Sequence, residues 1–197
     1  LIDHSEDERT IPEKIRFVRD LRGLSQEEFA RQLGVSFPTV NAWERGRSQP
    51  YPRHRKSIDE LYKDTLADDR SRTVMIVEDD PSSAIVLQEY VALALPEWST
   101  RIMLNGYDAM IQLGVLRPRL VLLDIMMPEI DGFKVLDRIR NMEEMADTLV
   151  IFVTAATDER VLARVAESGS YGLMQKPLVR DEVFGLLKAA ATESLGY

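Results

Sequence analysis

The chain has 197 residues, 45% of them hydrophobic, with a formal net charge of −8 and no cysteine. That length suits one or two globular domains, the missing cysteines exclude disulfides and thiolate zinc sites, and no apolar run reaches the length of a membrane span or resembles a signal peptide, so a cytoplasmic location with no membrane partner is expected. The acidic total is unevenly spread: residues 9–57 carry eleven Lys/Arg against five Asp/Glu, a net of +6, whereas residues 72–197 carry twelve against nineteen, a net of −7, and a basic half joined to an acidic half points the basic half at nucleic acid.

The first residue is Leu1, and an initiator Met is expected to have preceded it. Residues 1–10 are polar and acidic and read as a frayed tail. From 11 to 66 the apolar spacing is helical. Ile15 and Val18, with Arg19 and Arg22 beside them, trace a first helix that Gly23 ends. Ser25-Gln26-Glu27-Glu28 is a capping box that opens a second helix, with Phe29, Ala30 and Leu33 on its apolar face. Gly34-Val35 is a sharp turn. Ser36 caps a third helix, with Val40 and Trp43 inward and Gly46 closing it. Residues 47–55, rich in Pro and Arg, read as loop; the charge run Arg53-His54-Arg55-Lys56 is either a solvated stretch or a phosphate contact. Ile58, Leu61, Tyr62, Thr65 and Leu66 return to helical spacing. The charged continuation through residues 67–71 is a linker, either a rigid helix or a hinge.

Two short helices joined by a tight glycine turn make a helix-turn-helix. The strings Leu24-Ser25-Gln26-Glu27-Glu28-Phe29-Ala30, Leu33-Gly34-Val35-Ser36 and Trp43-Glu44-Arg45-Gly46 closely resemble the lambda-repressor and Cro-like (XRE-type) domains over residues 11–66. The resemblance implies that the helix from Ser36 enters the major groove of double-stranded DNA. Phe37, Pro38, Thr39, Asn41 and Ala42 then lie on or near its exposed edge. Phe37 and Ala42 would meet thymine methyls and Asn41 would bond adenine. Gln26, Arg45 and Arg47 match phosphate-contacting positions. Phe37-Pro38 departs from the family, which more often has Gln, Arg or Ser there, and the ordinary structural reading of Phe37 is a peripheral core contact.

Beyond residue 72 the pattern changes. Val74-Met75-Ile76-Val77, Leu120-Val121-Leu122-Leu123 and Leu149-Val150-Ile151-Phe152-Val153 are short, wholly apolar runs, the signature of strands buried on both faces of a parallel sheet. Glu78-Asp79, Asp124 and Thr154-Ala155 end these runs, and Lys176-Pro177 follows Gly172-Leu173-Met174-Gln175. Open α/β sheets bind ligands at the carboxyl ends of their strands. Neighbouring strands would gather Glu78, Asp79 and Asp124, and three close carboxylates need a cation, with all-oxygen donors favouring Mg²⁺, Mn²⁺ or Ca²⁺. A carboxylate nucleophile, a metal, a hydroxyl and an ammonium together suit an acyl-phosphate on Asp124. Each residue alone has a plainer reading: Asp79 or Asp80 before Pro81 as a helix cap, Asp131-Gly132 as a turn, Thr154 as a strand residue, Lys176 as a solvated charge.

Val77-Glu78-Asp79-Asp80-Pro81, Leu123-Asp124-Ile125-Met126-Met127-Pro128-Glu129-Ile130-Asp131-Gly132, Thr154-Ala155 and Lys176-Pro177-Leu178, in that order, resemble a two-component response-regulator receiver over residues 72–191. The resemblance implies an α/β flavodoxin-like domain with a five-stranded parallel sheet in the order 2-1-3-4-5. It implies phosphorylation of Asp124 by a histidine kinase. Asp79 and Asp124 would ligate Mg²⁺, with Glu78 acting through water and the Met126 carbonyl as a further ligand, and Thr154 and Lys176 would be the switch and catalytic pair. Two departures stand out. Leu173 replaces the aromatic usual three residues before the lysine, and Tyr171 and Gly172 replace the acidic pair that often precedes it. A phosphatase of the haloacid dehalogenase type would want a second Asp where Met126 stands.

The sequence therefore reads as two domains: an all-α helix-turn-helix bundle over 11–66, a linker over 67–71 and a receiver over 72–197. The expected function is a DNA-binding transcriptional response regulator that changes its homodimerisation when phosphorylated. No enzymatic activity is expected beyond the receiver's own phosphoryl transfer and slow dephosphorylation. The alternative is a phospho-relay adaptor whose helix-turn-helix domain binds protein rather than DNA.

Overall fold

The computed structural model describes residues 9–195. They form two compact units that part between Asp69 and Arg70.

The first unit is all-helical: α1 (Ile11–Arg22), α2 (Gln26–Leu33), α3 (Phe37–Glu44) and α4 (Pro52–Ser71). Its helix ends follow from local chemistry. Gly23 takes the left-handed conformation (φ 62°) that ends α1, and Gly34 does the same (φ 65°) for α2. The Ser25 capping box is complete: the Glu28 N–H donates to the Ser25 hydroxyl at 3.1 Å, and the Ser25 N–H donates to the Glu28 carboxylate at 2.8 Å. The Ser25 N–H, with the Ser25 hydroxyl beside it, holds the Glu28 carboxyl below its ordinary pKa. Ile15, Val18, Phe29, Val40, Trp43, Ile58 and Tyr62 form the core between the helices.

Three local expectations are corrected. Residues 1–8 of the proposed tail lie outside the described residues, but Arg9 and Thr10 belong to the fold. Thr10 donates its N–H to Glu13 at 2.6 Å, and the Arg9 guanidinium sits 4.2 Å from the centre of the Phe17 ring. The loop expected over 47–55 ends early, because Pro52 opens α4: a proline at the first helical position forfeits no hydrogen bond. Arg53, His54, Arg55 and Lys56 are thus helical, and His54 is buried, with its ring 5.7 Å from Trp43. Finally, Ser36 occupies the position before α3 without capping it; its hydroxyl meets that of Thr39 at 2.8 Å. Residues 67–71, left open between helix and hinge, are the last turns of α4.

The second unit alternates strands and helices: β1 (Thr73–Val77), α5 (Pro81–Ala94), β2 (Ser99–Met103), α6 (Gly106–Leu116), β3 (Leu120–Asp124), α7 (Gly132–Arg140), β4 (Leu149–Thr154), α8 (Glu159–Glu167), β5 (Gly172–Gln175) and α9 (Arg180–Ser194). All pairings are parallel, in the order β2-β1-β3-β4-β5. The strands alternate between two cores. Met75, Val77, Val121 and Leu123 pack with α6 and α7, while Val74, Ile76, Leu120 and Leu122 pack with α5 and α9. Burial on both faces explains why β1 and β3 read as unbroken apolar runs.

Candidate functional site

Register brings the acids together. Val77 of β1 pairs with Leu123 of β3, so the next residues, Glu78 and Asp124, come level at the carboxyl edge of the sheet. Oxygen atoms of Glu78, Asp79 and Asp124 all lie within 4.8 Å of one another. Glu78 is 1% exposed and Asp124 6%. Lys176, just after β5, spans the pair: its Nζ is 2.7 Å from the Glu78 carboxylate and 2.8 Å from that of Asp124. Burial pushes the Glu78 carboxyl above its ordinary pKa, Lys176 opposes that rise, and the charge of Asp124 adds to it. Burial also works against the Lys176 ammonium, but its bonds to Asp124 and Glu78 outweigh that and raise its pKa. Asp80, by contrast, is a helix cap: its carboxylate accepts the Ser83 N–H at 2.8 Å at the start of α5.

The loop from β3 to α7 fixes Asp124 from below. The second oxygen of Asp124 accepts the Met126 N–H at 2.9 Å, while the Met126 side chain points into solvent. The Ile130 N–H reaches back to the Pro128 carbonyl at 2.7 Å across Glu129, whose φ of 64° costs a non-glycine residue about 1 kcal/mol. Gly132 then passes so close that a Cβ on it would sit 2.3 Å from the Asp124 carbonyl oxygen. Asp131 caps α7 by accepting the Lys134 N–H at 2.9 Å.

Thr154, at the end of β4, is fully buried, and its hydroxyl accepts the Ala156 N–H at 3.0 Å. Its carbonyl accepts the Lys176 N–H at 2.8 Å, which ties β4 to the lysine. Leu173 is half-buried and packs on the core that contains Phe152, with which it is paired in register. The five strand-end residues singled out in the sequence, Glu78, Asp79, Asp124, Thr154 and Lys176, thus all lie at the same end of the sheet.

The first unit holds a second polar constellation. Arg19 of α1 donates to Glu44 of α3 at 2.6 Å, and both side chains are largely buried. Gln26 donates to the other Glu44 oxygen at 2.6 Å and accepts from the Asn41 amide at 3.3 Å. Gln26 and Asn41, expected at a phosphate and a base respectively, are therefore joined to each other and to a buried carboxylate. Ser36, Phe37, Pro38, Arg45 and Arg47 are exposed, and Thr39 and Ala42 are partly so. Glu44 was not legible as a site residue; its one signal is a carboxylate directly after Trp43 on the inward stripe of α3.

Comparison with known proteins follows the same division. Residues 74–188 match the response regulator receiver domain, well over half of the chain. The chain belongs to the response regulator receiver family. Residues 15–53 match a helix-turn-helix family of the XRE type. The probable transcriptional regulator ycf29 of Porphyra purpurea is 32% identical over 118 residues, covering 60% of this chain and 56% of the relative. A protein-glutamate methylesterase/protein-glutamine glutaminase of Desulfitobacterium hafniense is 32% identical over 136 residues, covering 63% of this chain and 34% of the relative. Among solved structures, the signal receiver domain of a DNA binding response regulator from Colwellia psychrerythraea 34H is 29% identical with a TM-score of 0.56, covering 59% of this chain and 95% of that one. The chain spans about half the length, or less, of the curated relatives it matches. The relatives thus include both a probable transcriptional regulator and a protein-glutamate methylesterase/protein-glutamine glutaminase.

Proposed function

We propose that the chain is a DNA-binding transcriptional response regulator of the cytoplasm, phosphorylated on Asp124 by a histidine kinase. The observation that carries this reading is the Asp124 carboxylate at the end of β3, held by Lys176 and flanked by Glu78 and Asp79. Three carboxylates against one ammonium leave about two uncompensated negative charges. Oxygen donors alone, with no nitrogen or sulfur ligand among them, suit Mg²⁺. Asp79 and Asp124 would hold it directly, with the Met126 carbonyl, and Glu78 through water, because its extra methylene crowds direct ligation. When bound, the ion neutralises phosphoryl oxygens.

The rest is the work of the chain's own residues. An Asp124 oxygen attacks the phosphorus of a phosphohistidine, the P–N bond breaks, and the imidazole leaves with the bonding pair. Lys176 moves from its carboxylate pair to a phosphoryl oxygen. The Thr154 hydroxyl turns from the Ala156 N–H to donate to another. The added charge, roughly −1.5 to −2, biases the packed face beyond Thr154 between two states. A homodimer in one state would hold two helix-turn-helix units on two half-sites spaced by about one helical turn.

Slow loss of the phosphoryl group is expected, because Met126 and Ala156 flank the site and neither side chain orients an attacking water. Following the labelled protein after removal of excess acetyl phosphate measures this, and decay within seconds without a partner phosphatase contradicts it.

The deciding experiment for the effector is selection from a random duplex library with the phosphorylated full chain. An enriched motif is expected. Arg45→Ala should weaken binding to every sequence by a similar factor, because it removes a phosphate contact. Asn41→Ala should relax preference at single bases by roughly 1–3 kcal/mol. Phe37, 41% exposed beside Pro38 at the start of α3, favours the adaptor reading. If no motif emerges and Arg45→Ala changes nothing, the unit is not a DNA reader and the adaptor reading leads.

A further inference from the structure

A buried acid decides which way two amides of the helix-turn-helix unit are turned. Asn41 and Glu44 stand three residues apart on α3, so they are neighbours on its surface, and Gln26, the first residue of α2, links them. Glu44 is buried and held at both ends. Arg19 donates to one oxygen of its carboxylate at 2.6 Å, and Arg16 donates to its main-chain carbonyl at 2.5 Å. A carboxylate paired with arginine only accepts hydrogen bonds. Its second oxygen therefore takes the Gln26 amide by the nitrogen, at 2.6 Å. That leaves the Gln26 oxygen for Asn41, and an oxygen takes the Asn41 amide by its nitrogen as well, at 3.3 Å. An isolated amide offers either of its ends. In this series each amide is fixed by the group before it, and the series starts at Glu44.

The atoms left over are the ones a ligand meets. Gln26 keeps one amide hydrogen, a donor, which suits a phosphate oxygen. Asn41 keeps one amide hydrogen and its oxygen, and neither bonds another described residue. A donor beside an acceptor matches adenine, whose N7 accepts and whose N6 amino group donates. Guanine presents two acceptors, N7 and O6. An Asn41 free to turn could offer guanine both of its amide hydrogens. Tied to Gln26, it has one hydrogen left and would set its own oxygen against O6.

We propose that Glu44 is a positioning residue for base choice: acting through Gln26, it holds Asn41 in the orientation that takes adenine and refuses guanine. This role rests on the DNA-binding reading above and names what sets its specificity. A purely structural Glu44 would only join α1 to α3 through Arg19, and losing it would weaken binding to every sequence alike. The relay instead makes the ratio between two bases depend on a buried residue that touches neither of them.

The test uses the full chain, treated with acetyl phosphate and Mg²⁺, on two duplexes. One is the sequence that library selection enriches. The other carries guanine for adenine at the base pair where Asn41→Ala relaxes preference. Wild type should prefer adenine by about fivefold or more. Glu44→Gln keeps the shape of the side chain but donates as well as accepts, so it no longer dictates the direction of the relay. Gln26→Met cuts the relay and spares the Arg19–Glu44 pair, so it stands in if Glu44→Gln does not fold, which circular dichroism checks. Each should bring the ratio close to one, and neither should change it further in an Asn41→Ala background. Without DNA, the Asn41 side-chain amide signals in a proton–nitrogen NMR spectrum should shift in both variants. A ratio that stays at the wild-type value in folded Gln26→Met, with affinity lowered for both duplexes alike, overturns the relay and leaves the DNA reading intact. Asn41 amide signals that do not move, or a motif in which Asn41→Ala relaxes no adenine, overturn it in the same way. A wild type that enriches no motif overturns the DNA reading and the base-choice role together.

Discussion

Asp124→Asn will abolish labelling by acetyl phosphate while leaving the receiver folded. The amide is nearly isosteric with the carboxylate, so the β3 edge keeps its shape. Its oxygen can still accept the Met126 N–H, a bond now 2.9 Å long. Lys176 keeps its 2.7 Å partner, Glu78, so no buried charge is stranded. What disappears is the nucleophile and one of three mutually repelling acids. Stability should therefore hold or rise slightly, even as reactivity goes to zero. Intact-mass measurement of wild type and variant after incubation with acetyl phosphate and Mg²⁺ gives the answer. Stoichiometric labelling of the variant would sink the assignment of Asp124, whatever the fold.

Gly132→Ala should damage both the fold and the site. The new Cβ would lie 2.3 Å from the Asp124 carbonyl oxygen and 3.1 Å from the Asp124 carbon and the Ile125 Cα, all of them backbone atoms that cannot swing aside. The Gly132 N–H also closes the loop on the Ile125 carbonyl at 3.1 Å. Relief requires moving either α7 or the end of β3, at a cost of at least about 2 kcal/mol. Because the strand end that moves is the one carrying Asp124, labelling should slow as well. Urea denaturation and labelling rates measure the two effects. Gly185→Ala in α9, where no atom lies within 4 Å of the new Cβ, is the matched control and should stabilise by roughly 0.5–1 kcal/mol. Equal behaviour of the two variants would mean that the close approach has no energetic consequence.

The receiver was legible for a definite reason. β1, β3 and β4 are buried along nearly their whole length and hold no polar residue inside the run, so the acids and the threonine stand out at the points where those runs stop. Periodicity alone does not order the strands; that came from resemblance. What stayed hidden depends on contacts between distant residues. Glu44 looks like a surface helix residue until α1 brings Arg19 against it. His54 looks solvated until Pro52 starts a helix that turns it onto Trp43. Arg9 looks like tail until Phe17 and Tyr62 offer it aromatic faces. Ser36 has the right identity for a cap, yet Thr39 offers its hydroxyl a competing partner.

The bonds among Asn41, Gln26 and Glu44 bear on how the chain can acquire new preferences over generations. Asn41 is tied through Gln26 to the carboxylate that also anchors Arg19. Replacing Asn41 or Gln26 therefore disturbs the packing of α1 on α3 together with whatever those amides recognise. Phe37 and Pro38 carry no such bond and stand exposed. Drift in what this unit binds should pass first through positions 37 and 38, with 26 and 41 following only in variants that have gained stability to spare.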